Sequence, residues 1–505
     1  MPPYVSNPAT PQPTGSLNER ATVLCRRQTW PVLRVRYCDL VQANSGGQVN
    51  PQEASSVCEL QPMPHQTPPE TGWIRPATAL QEDLWALMRQ SDAASRAYNI
   101  ESVYTISGPL NVAALTAAVD AVIDRHHALR TVFTETPDGV RQKLLPPVSG
   151  ALTVHDFSDR TPDERTVYLE KAVATESTRL FSFDDAPLAR FSLFRTAPVE
   201  HVLVIVVHHL VFDGWSMGVL LRDLSDAYDL ARTDGTLPPV DDATQLGDFA
   251  ERQREWLSTA EASRMTDYWV RQLRHLPEGT TVPYDQLVPE GQSFAGDRYT
   301  FDLPVALAAR VRGTARGERV TPTAVALLGF QLLLREVSGQ EDVTVGLPLA
   351  NRARPGTEDC VGCLINTHVL RQRLPVTAPT RDLLRVTADQ LAGAVQNQAI
   401  PLRNVYTELV KRYGEAELPR YLYQVLFICH TQPHTDLRLG EAMIVRRSFD
   451  QRASKTDMTL NLWVRPDEIS GQLEYSTDLY TSATAARIIR RYEEVLTGLV
   501  EDLVW

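Results

Sequence analysis

The chain has 505 residues, 43% of them hydrophobic and 22% charged, a globular composition with length enough for two lobes that each hold a core. A formal net charge of −12 provides no basic footprint for non-specific nucleic-acid binding, and no apolar run reaches the ~18 residues of a membrane-spanning helix. Six cysteines, three of them before residue 60, make no disulfide framework and fit a reducing cytoplasm.

Residues 1–72 carry eleven of the 34 prolines, five basic and five acidic side chains, and little hydrophobic periodicity. Such a segment buries too little apolar surface to offset its ordering entropy, so a mostly disordered extension that chemistry does not need is expected. Five prolines in the first 20 residues are not expected to serve as a secretory signal. Residues 30–41, WPVLRVRYCDLV, are the exception and read as a strand or short hairpin able to dock on a sheet edge.

From residue 73 onward helices and strands alternate, as in an α/β sandwich, and two lobes are expected, 73–248 and 249–505. Residues 112–126 have apolar side chains at helical spacing. The unbroken run 202–207, VLVIVV, reads as a strand buried on both faces. Thr321 and Pro322 open a helix, as N-cap and first helical residue, that runs through Leu334 and stops near Gly339. A strand at 343–347 follows.

The segment after the apolar strand is HHLVFDGWS, residues 208–216. Successive strand side chains point to opposite faces, so His208 and His209 cannot both face one cavity. One should pack structurally while the other stands free at the strand end. Asp213 supplies an acid, Gly214 allows a sharp turn, and Ser216 is placed to cap the helix through 217–221. That is a plausible acyl-transfer constellation; the plain alternative is two satisfied core histidines before an ordinary turn. Cys360 and Cys363 form a CxxC without a second pair, which reads as two buried thiols and no metal site.

Other segments align with the histidine pair: 78–85 TALQEDLW, 125–133 RHHALRTVF, 346–352 GLPLANR, 361–371 VGCLINTHVLR, 420–428 RYLYQVLFI, 454–460 SKTDMTL and 473–480 LEYSTDLY. In this order the chain from about residue 73 to 505 resembles the condensation domains of nonribosomal peptide synthetases. The resemblance implies a V-shaped pair of chloramphenicol-acetyltransferase-like lobes with a tunnel between them. It implies an enzyme that joins an acyl or aminoacyl thioester, held on a carrier protein's phosphopantetheine arm, to an acceptor amine. No bound cofactor is implied.

By the same resemblance His209 faces the tunnel as base or positioner, and His208 is structural. Asp213 resembles a buried ion-pair partner, with Arg352, Arg125 and Arg130 as candidate cations. Gly214 either offers an N–H to the oxyanion or simply turns the chain. Trp215, Ser216 and Asn366 are expected at tunnel walls or lobe contacts. Cys363 and Leu364 stand where relatives more often carry bulky aromatics, and 397–402, NQAIPL, departs from the usual pattern.

No adenylation signature or carrier serine segment is legible, so at this length a free-standing enzyme is expected. Its donor carrier is then a separate protein, and its acceptor either a carrier or a soluble amine or alcohol. Ester formation and a non-catalytic role in recruiting a partner are the competing readings. Arg487 and Arg491 share a helix face that could meet an acidic carrier; the alternative is internal pairing with Glu493 and Glu494.

Overall fold

The computed structural model describes residues 74–233, 235, 245–430, 435–447 and 452–503. The expectations for 1–72, including the strand at 30–41, lie outside the described residues. The first seven strands are β1 (Ile74–Pro76), β2 (Asn99–Ser107), β3 (Thr131–Thr136), β4 (Gly139–Leu144), β5 (Leu152–Asp156), β6 (Ala189–Ala197) and β7 (Glu200–His208). The other seven are β8 (Gly296–Asp302), β9 (Asp342–Leu349), β10 (Asn366–Arg373), β11 (Val425–His430), β12 (Met443–Arg447), β13 (Met458–Val464) and β14 (Ile469–Ser476). They form three sheets, ordered β1-β4-β3, β12-β2-β7-β6-β5 and β10-β9-β11-β13-β14-β8.

β7 explains its own sequence. Leu203, Ile205 and Val207 pack into a core with the helices Val112–Arg125 and Gly214–Ala231. Val202, Val204 and Val206 pack on the other face with Leu169 and Val173 of the helix Pro162–Thr178. A strand covered on both faces has no solvent side to keep polar.

In the second lobe, the helix Pro322–Ser338 starts as the sequence indicates. Thr321 Oγ1 accepts from the Ala324 N–H at 3.2 Å, Pro322 opens the helix, and Gly339 ends it at φ 70°. This helix packs on the C-terminal helix Ser482–Asp502 so closely that a Cβ at Gly329 would lie 2.5 Å from Leu496 Cδ2. Among the described residues no single helix is long and apolar enough to cross a membrane.

The division at 248/249 separates stretches of chain but not their cores. Leu246 and Phe249 of the helix Leu246–Trp256 are buried in the first core. Later segments return to it, Phe294 among them. The β9–β10 connection brings Cys360, Val361, Cys363 and Leu364, and the approach to β12 brings Leu437 and Leu439. β12 then pairs antiparallel with β2, Met443 opposite Ser107, covering a sheet edge that the first lobe leaves open.

Candidate active site at the seam of the lobes

His208 ends β7 opposite Asn99 and is fully buried. Its Nδ1 accepts from the Leu210 N–H at 3.1 Å, and the rings of Phe181 and Phe183 meet it edge-on at 6.0 and 4.9 Å. Burial, aided by the charge of His209, pushes its pKa down to about 3. It is a neutral packing histidine. In the unfolded chain a histidine titrates near its ordinary value of about 6.5. The stability tied to a neutral His208 is therefore fully present above that pH. It is lost as pH falls from there toward about 3, at up to ~1.4 kcal/mol per pH unit. His208→Asn, which keeps an acceptor near Nδ1, should melt earlier at pH 7.5 yet lose less stability on acidification. Thermal melts at pH 7.5 and 5 compare the two slopes, and parallel slopes would refute the assignment.

His209 leaves the strand in a single 3-10 turn, His209–Val211. Its N–H donates to the Tyr98 carbonyl at 2.9 Å, and its half-buried ring lies 5.8 Å from the Tyr98 ring. Nδ1 sits 3.4 Å from the Sγ of Cys363, which arrives from the second half of the chain. Burial pushes the imidazole pKa down to about 4; the Lys455 ammonium adds to the shift, and Asp213 opposes it. At neutral pH His209 is a free base. Burial also keeps the Cys363 thiol protonated, pushing it well above its usual range. Strand alternation and the turn after it thus separate the two histidines: one is sealed among phenylalanines, the other is set where both halves of the chain meet.

Asp213 builds the junction behind His209. It, and not Ser216, caps the helix Gly214–Ala231: Asp213 Oδ1 accepts from the Ser216 N–H at 2.9 Å. The cation it pairs with is Arg352, whose Nη2 reaches both carboxylate oxygens at 2.9 and 3.0 Å, with both side chains buried. Arg125 and Arg130 are not its partners. Arg125 pairs with Asp223 at 2.9 Å, while Arg130 donates to the Leu145 carbonyl at 2.6 Å and pairs with Asp124 at 3.3 Å. Ser216 Oγ donates to the Gly362 carbonyl and accepts from the Gly362 N–H, each at 3.0 Å, and Leu364 N–H donates to Asp213 at 3.1 Å. A Cβ at Gly362 would lie 2.8 Å from the Cδ1 atoms of Leu246 and Leu364, so a side chain there would make those leucines shift.

Gly214 makes no left-handed turn; it is the first residue of its helix, and a Cβ there would meet nothing within 4 Å. The missing side chain leaves room at the helix N-terminus. Trp215 Nε1 donates to the Glu358 carbonyl at 2.8 Å, a contact between the halves. Asn366, the first residue of β10, instead donates to the Gln398 carbonyl at 2.8 Å within the second lobe. Arg491 is held by Glu336 at 2.6 and 2.7 Å and by Glu494 at 2.6 Å, and Arg487 donates to Thr484 Oγ1 at 2.9 Å. These side chains are engaged within the fold. Two residues beside His209 were given no role from sequence, Tyr98 and Lys455. Lys455 lies in the 454–460 segment that carries the family resemblance and Tyr98 directly before β2, but nothing local marks a lysine as turned inward.

Residues 74–503 match the family model described as the condensation domain. The chain is 31% identical over 451 residues to malpinin synthetase of Mortierella alpina, covering 89% of the chain and 6% of that protein. It is 30% identical over 435 residues to the phosphinothricin tripeptide synthetase PhsC of Streptomyces viridochromogenes, covering 85% of the chain and 39% of that protein. The chain therefore spans a small part of the length of these relatives. The X-domain from teicoplanin biosynthesis superposes with a TM-score of 0.76 at 24% identity, over 87% of this chain and 97% of that one. The first condensation domain of the calcium-dependent antibiotic synthetase does so with a TM-score of 0.69 at 18% identity, over 85% and 96%. The fold is accordingly α/β, with two chloramphenicol-acetyltransferase-like lobes. A family match that runs from β1 to the last turn of the C-terminal helix, over a fold whose two halves meet at the second histidine of HHLVFDG, leads to one assignment: the chain belongs to the condensation-domain family of nonribosomal peptide synthetases.

Proposed function

We propose that the protein is a condensation enzyme that joins an acyl or aminoacyl thioester, carried on the phosphopantetheine arm of a partner carrier protein, to an acceptor amine. One observation carries this reading: His209 is a half-buried imidazole, uncharged at neutral pH, at the meeting point of the two halves. The amine nitrogen attacks the thioester carbonyl, the C–N bond forms, and the C–S bond breaks. The proton shed by nitrogen passes to His209 and leaves with the pantetheine sulfur as its thiol. The acceptor amine comes from a second carrier or from a soluble molecule.

An imidazole with pKa about 4 is a weak base. It suits the acidic N–H of a tetrahedral adduct better than an alcohol hydroxyl, which holds its proton far more firmly. Amide formation is therefore preferred over the ester alternative. A non-catalytic, partner-recruiting role has no use for a neutral, half-buried His209.

The test is mass spectrometry of a carrier loaded with acyl- or aminoacyl-pantetheine donors, mixed with amine and alcohol acceptors. Amide products that disappear in His209→Ala support the reading. Ester products alone would move the reaction to the alternative class, and no product from any pair would leave recruitment. Gly214→Leu is expected to fold normally, since its Cβ meets open space, but to slow turnover by filling the room at the helix N-terminus behind Asp213. Unchanged turnover in that variant would show that substrate does not pass there.

A further inference from the structure

Lys455 lies in the short segment before β13, and the backbone on both sides of it is clamped. Gly296 N–H donates to the Arg452 carbonyl at 2.9 Å, Ser454 N–H donates to the Phe294 carbonyl at 3.0 Å, and Ala453 bridges Ala295. A Cβ at Gly296 would lie 2.5 Å from the Ala453 carbonyl carbon, so only glycine admits this approach. Ser454, Thr456 and Asp457 are buried, and Asp457 N–H donates to the Gln424 carbonyl at 3.1 Å. The lysine is thus held by a rigid frame, and its Nζ rests 4.8 Å over the ring of Tyr98. That is the ring which packs against His209 and whose residue accepts the His209 N–H.

Among the described residues the Lys455 ammonium makes no hydrogen bond and no ion pair. Burial opposes its charged state, as does Arg298, while Glu474 and Glu101 favour it, and the balance lowers its pKa. Glu474 is itself paired with Arg298 at 3.5 Å. On the His209 side stand Asp213, tied to Arg352, and the neutral His208. A half-buried cation whose contact is an aromatic face, with the functional imidazole packed against the same ring, is arranged to disfavour protonation of that imidazole.

We propose that Lys455 is a positioning residue for His209: its ammonium, seated on the Tyr98 ring, denies the imidazole a second positive charge and leaves it as the free base. This rests on reading His209 as the proton acceptor. Lys455 would need no contact with substrate, because its effect travels through the electrostatic field across Tyr98. The place of the ammonium must be fixed, and the clamped backbone meets that need.

The experiment is an NMR titration of the full chain carrying 13C- and 15N-labelled histidine, with the His209 signal identified by its loss in His209→Ala. Wild-type His209 is expected to stay neutral down to a midpoint of about 4. Lys455→Met should raise that midpoint by at least about one pH unit, a tenfold gain in proton affinity. Lys455→Arg should keep the wild-type midpoint, and Lys455→Gln provides a second uncharged variant should the methionine fold poorly. The same midpoint in wild type and the uncharged variant would overturn the proposal. The readout does not need turnover. A shifted midpoint in a protein that makes no condensation product would sink the proposed function and leave Lys455 in its role. Product formation with an unmoved midpoint would do the reverse.

Discussion

Arg352→Ala is expected to destabilise the fold by about 3–5 kcal/mol, because it leaves a buried carboxylate without its cation. The arginine does more than neutralise Asp213. Nη1 donates to the Thr357 carbonyl at 2.8 Å and Nη2 to the Gly362 carbonyl at 3.2 Å, so it also orders the connection that carries Cys363 to His209. Asp213→Ala should cost a similar amount, since a guanidinium is then stranded. Asp213→Asn should be milder, because the amide oxygen still accepts the Ser216 N–H that caps the helix. Replacing both members by apolar groups of similar size is expected to cost less than either alanine variant, since no unpaired charge remains. Denaturant melts of the two singles and the double form the cycle. If Asp213→Ala melts like wild type and only its pH–rate profile changes, the carboxylate takes part in the chemistry instead.

His209→Ala is expected to lower turnover by ~10²-fold or more while leaving the melting temperature close to wild type, the usual share of a general base. His208→Ala should do the opposite. It removes a fully buried ring from between Phe181 and Phe183, and truncating buried aromatics costs about 3 kcal/mol or more. The paired measurement, one rate and one melt for each variant, separates the two roles. Equal turnover in wild type and His209→Ala would remove the imidazole from the mechanism.

The parts of this protein legible in its sequence are those set by short-range physics. A run of VLVIVV needs apolar cover on both faces wherever it sits, and β7 has it. Thr321 and Pro322 can begin a helix without reference to the rest of the chain. Two consecutive histidines at a strand end are sent apart by the pleat, so only one of them can face a given cavity; that it is His209 came from the family resemblance. The ordered segments around HHLVFDG carried the family in the same way, because their spacing is a property of the chain.

Tertiary structure decided everything that depends on segments distant in sequence. Asp213 rather than Ser216 caps its helix, and beyond the bonds from Ser216 its carboxylate is held by Arg352 and Leu364, 139 and 151 residues away. Arg125 and Arg130 were equally good cations by charge, yet Asp223 and Asp124 hold them. Gly214 looked like a turn residue, but the Asp213 cap starts the helix there and leaves its missing Cβ facing space. β12 crosses back to β2 because that edge is open, and no pattern within its five residues says so. Lys455 reaches Tyr98 by the same kind of crossing. Periodicity and capping chemistry act over a few residues and can be read along the chain, whereas the partner of a buried charge is fixed only when distant segments meet in the same low-dielectric space.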